Sequence, residues 1–259
     1  MNLIHDRNQW SWKPGPRAST LARGLLDLIF PPHTLDRTGP AQSIGLSAEA
    51  WTRVSFIGEP LCDGCGAPFE YETGVRCAAC LARPRAFDRA RAALLYDDAS
   101  RDLILQFKHA DRTDLAGLFA GWIGRAAEDL LRDADAIAPV PLHRSRLLAR
   151  RYNQAAEIAR PLARRHRIAY LPDLLTRAKR TESQAGKSGA ARRRNVAGAF
   201  STRIGPRRRI EGQRVLLIDD VLTTGATAEA CARVLRAAGA SAVDVAVIAR
   251  VRDADGASI

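Results

Sequence analysis

From residue 87 onward, short apolar runs alternate with longer segments whose apolar positions recur every three or four residues. Residues 90–96 predict a strand, and residues 98–108 and 115–131 predict helices. The second helix carries Leu115, Leu118, Phe119, Trp122 and Ile123 on one face. Residues 136–140 predict a short buried strand running into Pro139-Val140-Pro141, and residues 152–165 a helix. Residues 215–218 predict a strand, 227–238 a helix closed by Gly239, and 242–249 a further strand. Strands alternating with helices build a mostly parallel sheet flanked by helices on both faces, the α/β class. Ligands of such sheets sit beyond the carboxyl ends of the strands.

The region upstream has a different texture. Residues 1–19 are a polar lead-in with Trp10 and Trp12. Residues 20–30 place Leu21, Leu25, Leu28 and Ile29 at helical spacing, and residues 31–58 lack a clear period. Residues 59–84 are rich in turn formers and carry four cysteines. A chain of 259 residues with 46% apolar content has room for a buried core plus a small module. The one N-terminal apolar run, residues 25–30, stops at Pro31-Pro32 and is too short for an export signal or a membrane span. A cytoplasmic protein with reduced thiols is expected, so its five cysteines read as metal ligands or core residues rather than disulfides. The net charge of +12, mostly Arg, favours phosphate-rich partners. An Arg- and Ala-rich coding bias accounts for it equally well.

Residues 215–227 read VLLIDDVLTTGAT. The apolar run 215–218 suits a central parallel strand buried on both faces. Asp219 and Asp220 follow at its carboxyl end, where adjacent carboxylates need hydroxyls, a cation, or both as partners. Thr223, Thr224, Gly225, Ala226 and Thr227 are small and hydroxyl-rich, and let backbone N–H groups crowd round an anion. The helix behind them adds unsatisfied N–H groups and the positive end of its dipole. A phosphate in the loop and a sugar beside the two aspartates are expected. A capped strand–turn–helix without ligand is the plain alternative, which this order of residues disfavours. Gly186-Lys187-Ser188 invites a nucleotide-binding P-loop reading, but position 181 is Thr and no apolar strand precedes it across residues 175–182.

Cys62-x-x-Cys65 and Cys77-x-x-Cys80, eleven residues apart, form two knuckles. Together they aim four thiolates at one point, as a tetrahedral Zn²⁺ site requires. Gly64 and Gly66 suit the tight first turn. Redox pairs are the alternative, but the doubling favours a structural zinc that staples a fragment too small to build its own core. Cys231 shares a helix face with Val234, Leu235 and Ala238 and reads as a core residue.

As a set, CDGCG with CAAC, LILQFKH, PVPLHRSRLLARRYNQA, RNVAGAF and VLLIDDVLTTGAT resemble the ComF family of competence-associated, phosphoribosyltransferase-like proteins, over residues 25–250. The resemblance implies a type I phosphoribosyltransferase fold with a small N-terminal zinc-ribbon module held by four cysteines. It implies that Asp219 and Asp220 hold the ribose hydroxyls of phosphoribosyl pyrophosphate (PRPP). The rest of the signature, Val221, Leu222, Thr223, Thr224, Gly225, Ala226 and Thr227, would wrap its 5′-phosphate. The pyrophosphate loop would follow residue 140, with Pro141, His143, Arg144, Arg146 and Arg151, and Lys108 would face the ligand. Residues 176–195, with Arg177, Arg192 and two glycines, read as a basic hood over the site. Gln184, Arg192 and Asn195 match relatives there, whereas Lys187 stands where an apolar residue is expected. Relatives often carry an earlier knuckle pair. Here Thr34, Arg37, Ser47 and Ala50 occupy those positions, so a first ribbon without metal is expected, packed by Trp51 and Phe56.

Three regions follow: residues 1–58 with the N-terminal helix and degenerate ribbon, 59–86 with the four-cysteine zinc ribbon, and 87–259 with the phosphoribosyltransferase-like domain. The expected reaction is displacement of pyrophosphate from PRPP by an acceptor that the sequence does not specify. Mg²⁺ accompanies PRPP, and Asp220 is the candidate catalytic proton acceptor. The alternative is a non-catalytic PRPP sensor, or an accessory protein that handles single-stranded DNA and meets DNA-processing proteins during natural transformation.

Overall fold

The computed structural model describes residues 45–71, 74–109, 112–178, 196, 198–202 and 210–252. The chain divides into two compact units, Met1–Ala48 and Glu49–Ile259. The expected helix at residues 20–30 and three of the four positions compared with an earlier knuckle pair, Thr34, Arg37 and Ser47, belong to the first unit. Of these, the helix, Thr34 and Arg37 lie outside the described residues.

The second unit is built on five parallel strands: β1 (Ala90–Leu95), β2 (Ala136–Pro139), β3 (Ala169–Tyr170), β6 (Arg214–Leu222) and β7 (Ala242–Arg250). They lie in the order β1-β7-β6-β2-β3. Strands β4 (Leu175–Arg177) and β5 (Phe200–Thr202) form a separate antiparallel pair. Helices are α1 (Ala48–Arg53), α2 (Ala78–Ala82), α3 (Asp98–His109), α4 (Leu115–Ala126), α5 (Glu128–Asp133), α6 (Arg144–Arg150), α7 (Gln154–His166) and α8 (Ala226–Ala237).

Period-two alternation distributes the core. Val215, Leu217, Val243, Val245 and Val247 join the cluster that includes Cys231 and Leu235 of α8 and Phe200 of β5. Their neighbours Leu216, Ile218, Ala246 and Ile248, equally buried, point to the opposite face. Strand β7 is buried at all nine positions, as a strand flanked on both edges and both faces must be.

Several boundaries differ from the sequence expectation. The helix predicted over 115–131 is two helices, broken at Ala127 (φ −116°, ψ 30°). The strand predicted to stop at residue 218 runs on to Leu222, because β7 continues to pair beside it through Leu222↔Arg250. Leu175–Arg177, within the stretch that reads as too polar for a strand, pairs with β5.

The sheet order has a functional consequence. From β2 the chain moves outward to β3, whereas from β6 it moves the other way to β7, so the path reverses between the adjacent strands β2 and β6. The crevice beyond the carboxyl ends of such a pair is where open α/β sheets bind ligands.

Candidate functional site

Both halves of the expected site meet at that crevice. Asp219 and Asp220 lie inside β6, half-buried, and their carboxylates fold back onto the chain. Asp219 Oδ1 accepts from the Asp220 N–H at 2.9 Å, and Asp220 Oδ1 from the Val221 N–H at 2.6 Å. Desolvation, followed by the adjacent Asp220 charge, pushes Asp219 up to about 7. The Asp220 N–H, Lys108 and Arg177 oppose the shift. Two carboxylates this close fit a cation or sugar hydroxyls. Beyond Leu222 the turn through Thr223 and Thr224 reaches Gly225, whose left-handed φ of 79° starts α8 at Ala226. Thr227 is the second residue of that helix. The Thr224 hydroxyl is buried without a hydrogen-bond partner among the described residues. A buried hydroxyl of that kind is costly unless a ligand atom meets it.

Strand β2 delivers the second half. The Val140 N–H donates to Ile218 O at 2.9 Å, so β2 ends beside the stretch of β6 that carries the two aspartates. The segment expected as a loop instead forms helix α6, with Arg144 and Arg146 in it. His143 caps it by accepting from the Ser145 N–H at 3.2 Å, and Arg151 closes it at φ 66°. Asn153 then holds the crevice wall, donating to Val140 O at 3.0 Å while accepting from the Ala155 N–H at 3.1 Å. The Tyr152 hydroxyl donates to the Phe107 carbonyl. That bond ties two of the sequence motifs together and sets up the neighbouring Lys108, whose Nζ lies 2.7 Å from Asp220 Oδ2.

Other residues of the site were not singled out by the sequence. Arg85 donates from Nη1 to Thr224 O at 2.8 Å and to Glu229 Oε1 at 3.1 Å. Glu229, buried in the first turn of α8, also takes Arg83 at 2.8 Å and Arg233 at 3.5 Å. Arg177, expected in the hood, belongs to β4, buried with its guanidinium 5.1 Å above the Phe200 ring. Burial, then Arg146, lowers its pKa, while Asp219 acts to raise it. Arg192, Gln184, Lys187 and Asn195 lie outside the described residues.

The four knuckle cysteines converge with their Sγ atoms all within 4.8 Å of one another. Cys65 and Cys77 Sγ are 3.8 Å apart. A tetrahedron with Zn–S bonds of about 2.3 Å has an edge of about 3.8 Å, so the donor set fits zinc. The Cys77 N–H points at Cys62 Sγ at 3.2 Å, and Arg250 Nη1 at Cys65 Sγ at 3.3 Å. Hydrogen bonds from the Cys62 and Cys80 thiols, with help from Arg250, hold Cys65 well below the ordinary thiol range. Hydrogen bonding to Cys62 and Cys65 raises Cys80. Ionising all four together requires a cation. The cluster is fastened to the sheet: Arg91 donates to Asp63 Oδ1 at 2.7 Å, Arg250 to Cys65 O at 2.8 Å, and a Cβ on Gly66 would lie 2.7 Å from Ala90 O. Cys231 is buried in the core as expected.

A solved adenine phosphoribosyltransferase from Thermoanaerobacter pseudethanolicus aligns with a TM-score of 0.38 and 20% identity, over 60% of this chain and 77% of that one. Residues 146–258 match the phosphoribosyl transferase domain family. With its parallel sheet, paired acids and threonine-rich turn, this is a phosphoribosyltransferase-like protein. It is 32% identical over 204 residues to Competence protein F of Haemophilus influenzae, across 74% of this chain and 85% of that protein. To DNA utilization protein YhgH of Escherichia coli K12 it is 28% identical over 204 residues, across 77% and 88% respectively. The chain belongs to the ComF family. No described helix is long and apolar enough to cross a membrane.

Proposed function

We propose that the chain is a PRPP-binding, phosphoribosyltransferase-like protein serving DNA uptake, in which a nitrogen nucleophile displaces pyrophosphate from C1 of PRPP. One observation carries the reading: two half-buried carboxylates lie in the last half of β6 at the reversal point of the sheet, two residues before a turn whose buried Thr224 hydroxyl has no partner among the described residues. Asp219 and Asp220 hold the ribose hydroxyls, and Thr223, Thr224, Gly225, Ala226 and Thr227 receive the 5′-phosphate at the head of α8. His143, Arg144, Arg146 and Arg151 meet the pyrophosphate, Lys108 orients Asp220 through their ion pair, and Arg192 belongs to the hood. Asp220 accepts the nucleophile's proton. When bound, Mg²⁺ neutralises the departing pyrophosphate. A zinc ion on Cys62, Cys65, Cys77 and Cys80 staples residues 59–86, between residues 1–58 and the transferase-like region 87–259.

Calorimetry with PRPP and Mg²⁺ tests the reading. Binding is expected in the native protein, with loss in the D219N/D220N double variant. No heat in the native protein, or an unaffected double variant, would refute it. A screen of PRPP consumption against nucleobases and amines then identifies the acceptor.

One feature favours a second reading, a non-catalytic accessory that handles single-stranded DNA. Trp51 and Phe56 are 46% and 44% exposed, with ring centroids 5.2 Å apart, and Arg53 lies between them in sequence. A pair of adjacent exposed rings suits stacking on unpaired bases. The names of the relatives, competence and DNA utilization, agree with either role. PRPP bound but never consumed would decide for the second.

A further inference from the structure

We propose that Arg85 is a positioning residue that sets the orientation of the peptide at the heart of the phosphate loop. The inference rests on the PRPP reading and adds to it a residue from the knuckle module. Arg85 lies in the segment leaving the second knuckle, five residues after Cys80. Its Nη1 donates to the Thr224 carbonyl at 2.8 Å. A planar trans peptide directs its C=O and its N–H to opposite sides. Holding the Thr224 carbonyl on Arg85 therefore turns the Gly225 N–H away from the guanidinium. With Gly225 left-handed and α8 starting at Ala226, that N–H heads a run of donors of the kind that cups an anion. A flipped peptide would aim carbonyl lone pairs at phosphate oxygens.

Glu229 locks the guanidinium in place. Its side chain is 2% exposed, and it takes Arg85 at 3.1 Å together with Arg83 at 2.8 Å and Arg233 at 3.5 Å. An uncompensated carboxylate in the first turn of α8 would be costly to bury, and three guanidiniums offset it. Gly225 supplies the left-handed φ of 79° that this turn needs, and a Cβ there would make only ordinary contact, 3.5 Å, with Arg85 Nη1 and the Phe87 ring.

Native protein, R85M and R85M/E229Q are titrated by calorimetry with ribose 5-phosphate, PRPP and inorganic pyrophosphate, each with Mg²⁺, and melted in parallel. R85M is expected to weaken ribose 5-phosphate about tenfold, the loss of one charge-assisted contact. Pyrophosphate affinity stays unchanged. The double variant leaves no bare carboxylate, so it separates loop geometry from charge, and it is expected to remain as weak. Native affinity in R85M, or its recovery in R85M/E229Q, overturns the proposal. If R85M fails to fold, the charge-neutral double variant decides alone. Should the native protein bind neither ribose 5-phosphate nor PRPP, the PRPP reading and this inference fall together. Binding by native protein and variants alike removes only the role of Arg85.

Discussion

At Asp219 two demands oppose each other: a central strand excludes water, whereas a sugar hydroxyl or a cation needs an ionised carboxylate. Burial and Asp220 raise this group to about 7, above an unfolded value of about 3.9. Between those values the unfolded chain has released a proton that the folded chain retains. Stability of the ligand-free protein therefore falls as pH rises from about 4 to about 7, and the contribution is constant above that. Asp219→Asn should remove the slope, so its urea midpoint gains on the native one across that window. Parallel midpoints at every pH would count against it. The acidic pair and the four cysteines were legible in the sequence because the members of each set lie close together along the chain, although Asp220 takes its ion-pair partner, Lys108, from a distant segment. Arg85 and Arg250 were not, because their contacts are 139 and 185 residues away and nothing local marks them among many arginines.

Among elements, β7 and the apolar first half of β6 were read from their runs because burial on both faces leaves a plain signal, whereas the second half of β6, which carries the aspartates, was not. Helix α6 was missed, since RSRLLAR buries none of its residues and so has no inward face to set a period. Strand β4 was missed because its buried arginine reads as polar. Two element-level outcomes follow. Tyr152→Phe loses the bond to Phe107 and should cost about 1 kcal/mol by denaturant titration, with weaker PRPP binding through a displaced Lys108. Gly66→Ala meets Ala90 O at a left-handed φ of 68° and should cost about 1–3 kcal/mol, while zinc content by metal analysis stays the same. Lost zinc in that variant would mean that docking and metal binding are one event.

For the molecule as a whole, the aromatic step offers a test separable from charge. If Trp51 and Phe56 stack on bases, W51A/F56A should weaken single-stranded DNA binding about tenfold or more. The steepness with which added salt weakens binding should be unchanged, since phosphate contacts are untouched. Equal affinity in that variant removes the aromatic contribution.

The pairing of β1 with β7, together with Arg250 reaching back 185 residues to Cys65, bears on how the protein is made. Synthesis runs from the N-terminus, so the four knuckle cysteines, near neighbours along the chain, can converge and take up the proposed zinc soon after leaving the ribosome. Strand β1 finds a local partner on one edge only, where the Ile57 N–H donates to Ala93 O at 3.0 Å and the Leu95 N–H to Ser55 O at 2.9 Å. Its other edge must wait, with backbone N–H and C=O groups unpaired, until β7 has been translated. Nascent chains arrested before residue 242 should thus hold zinc yet depend on chaperones to stay in solution.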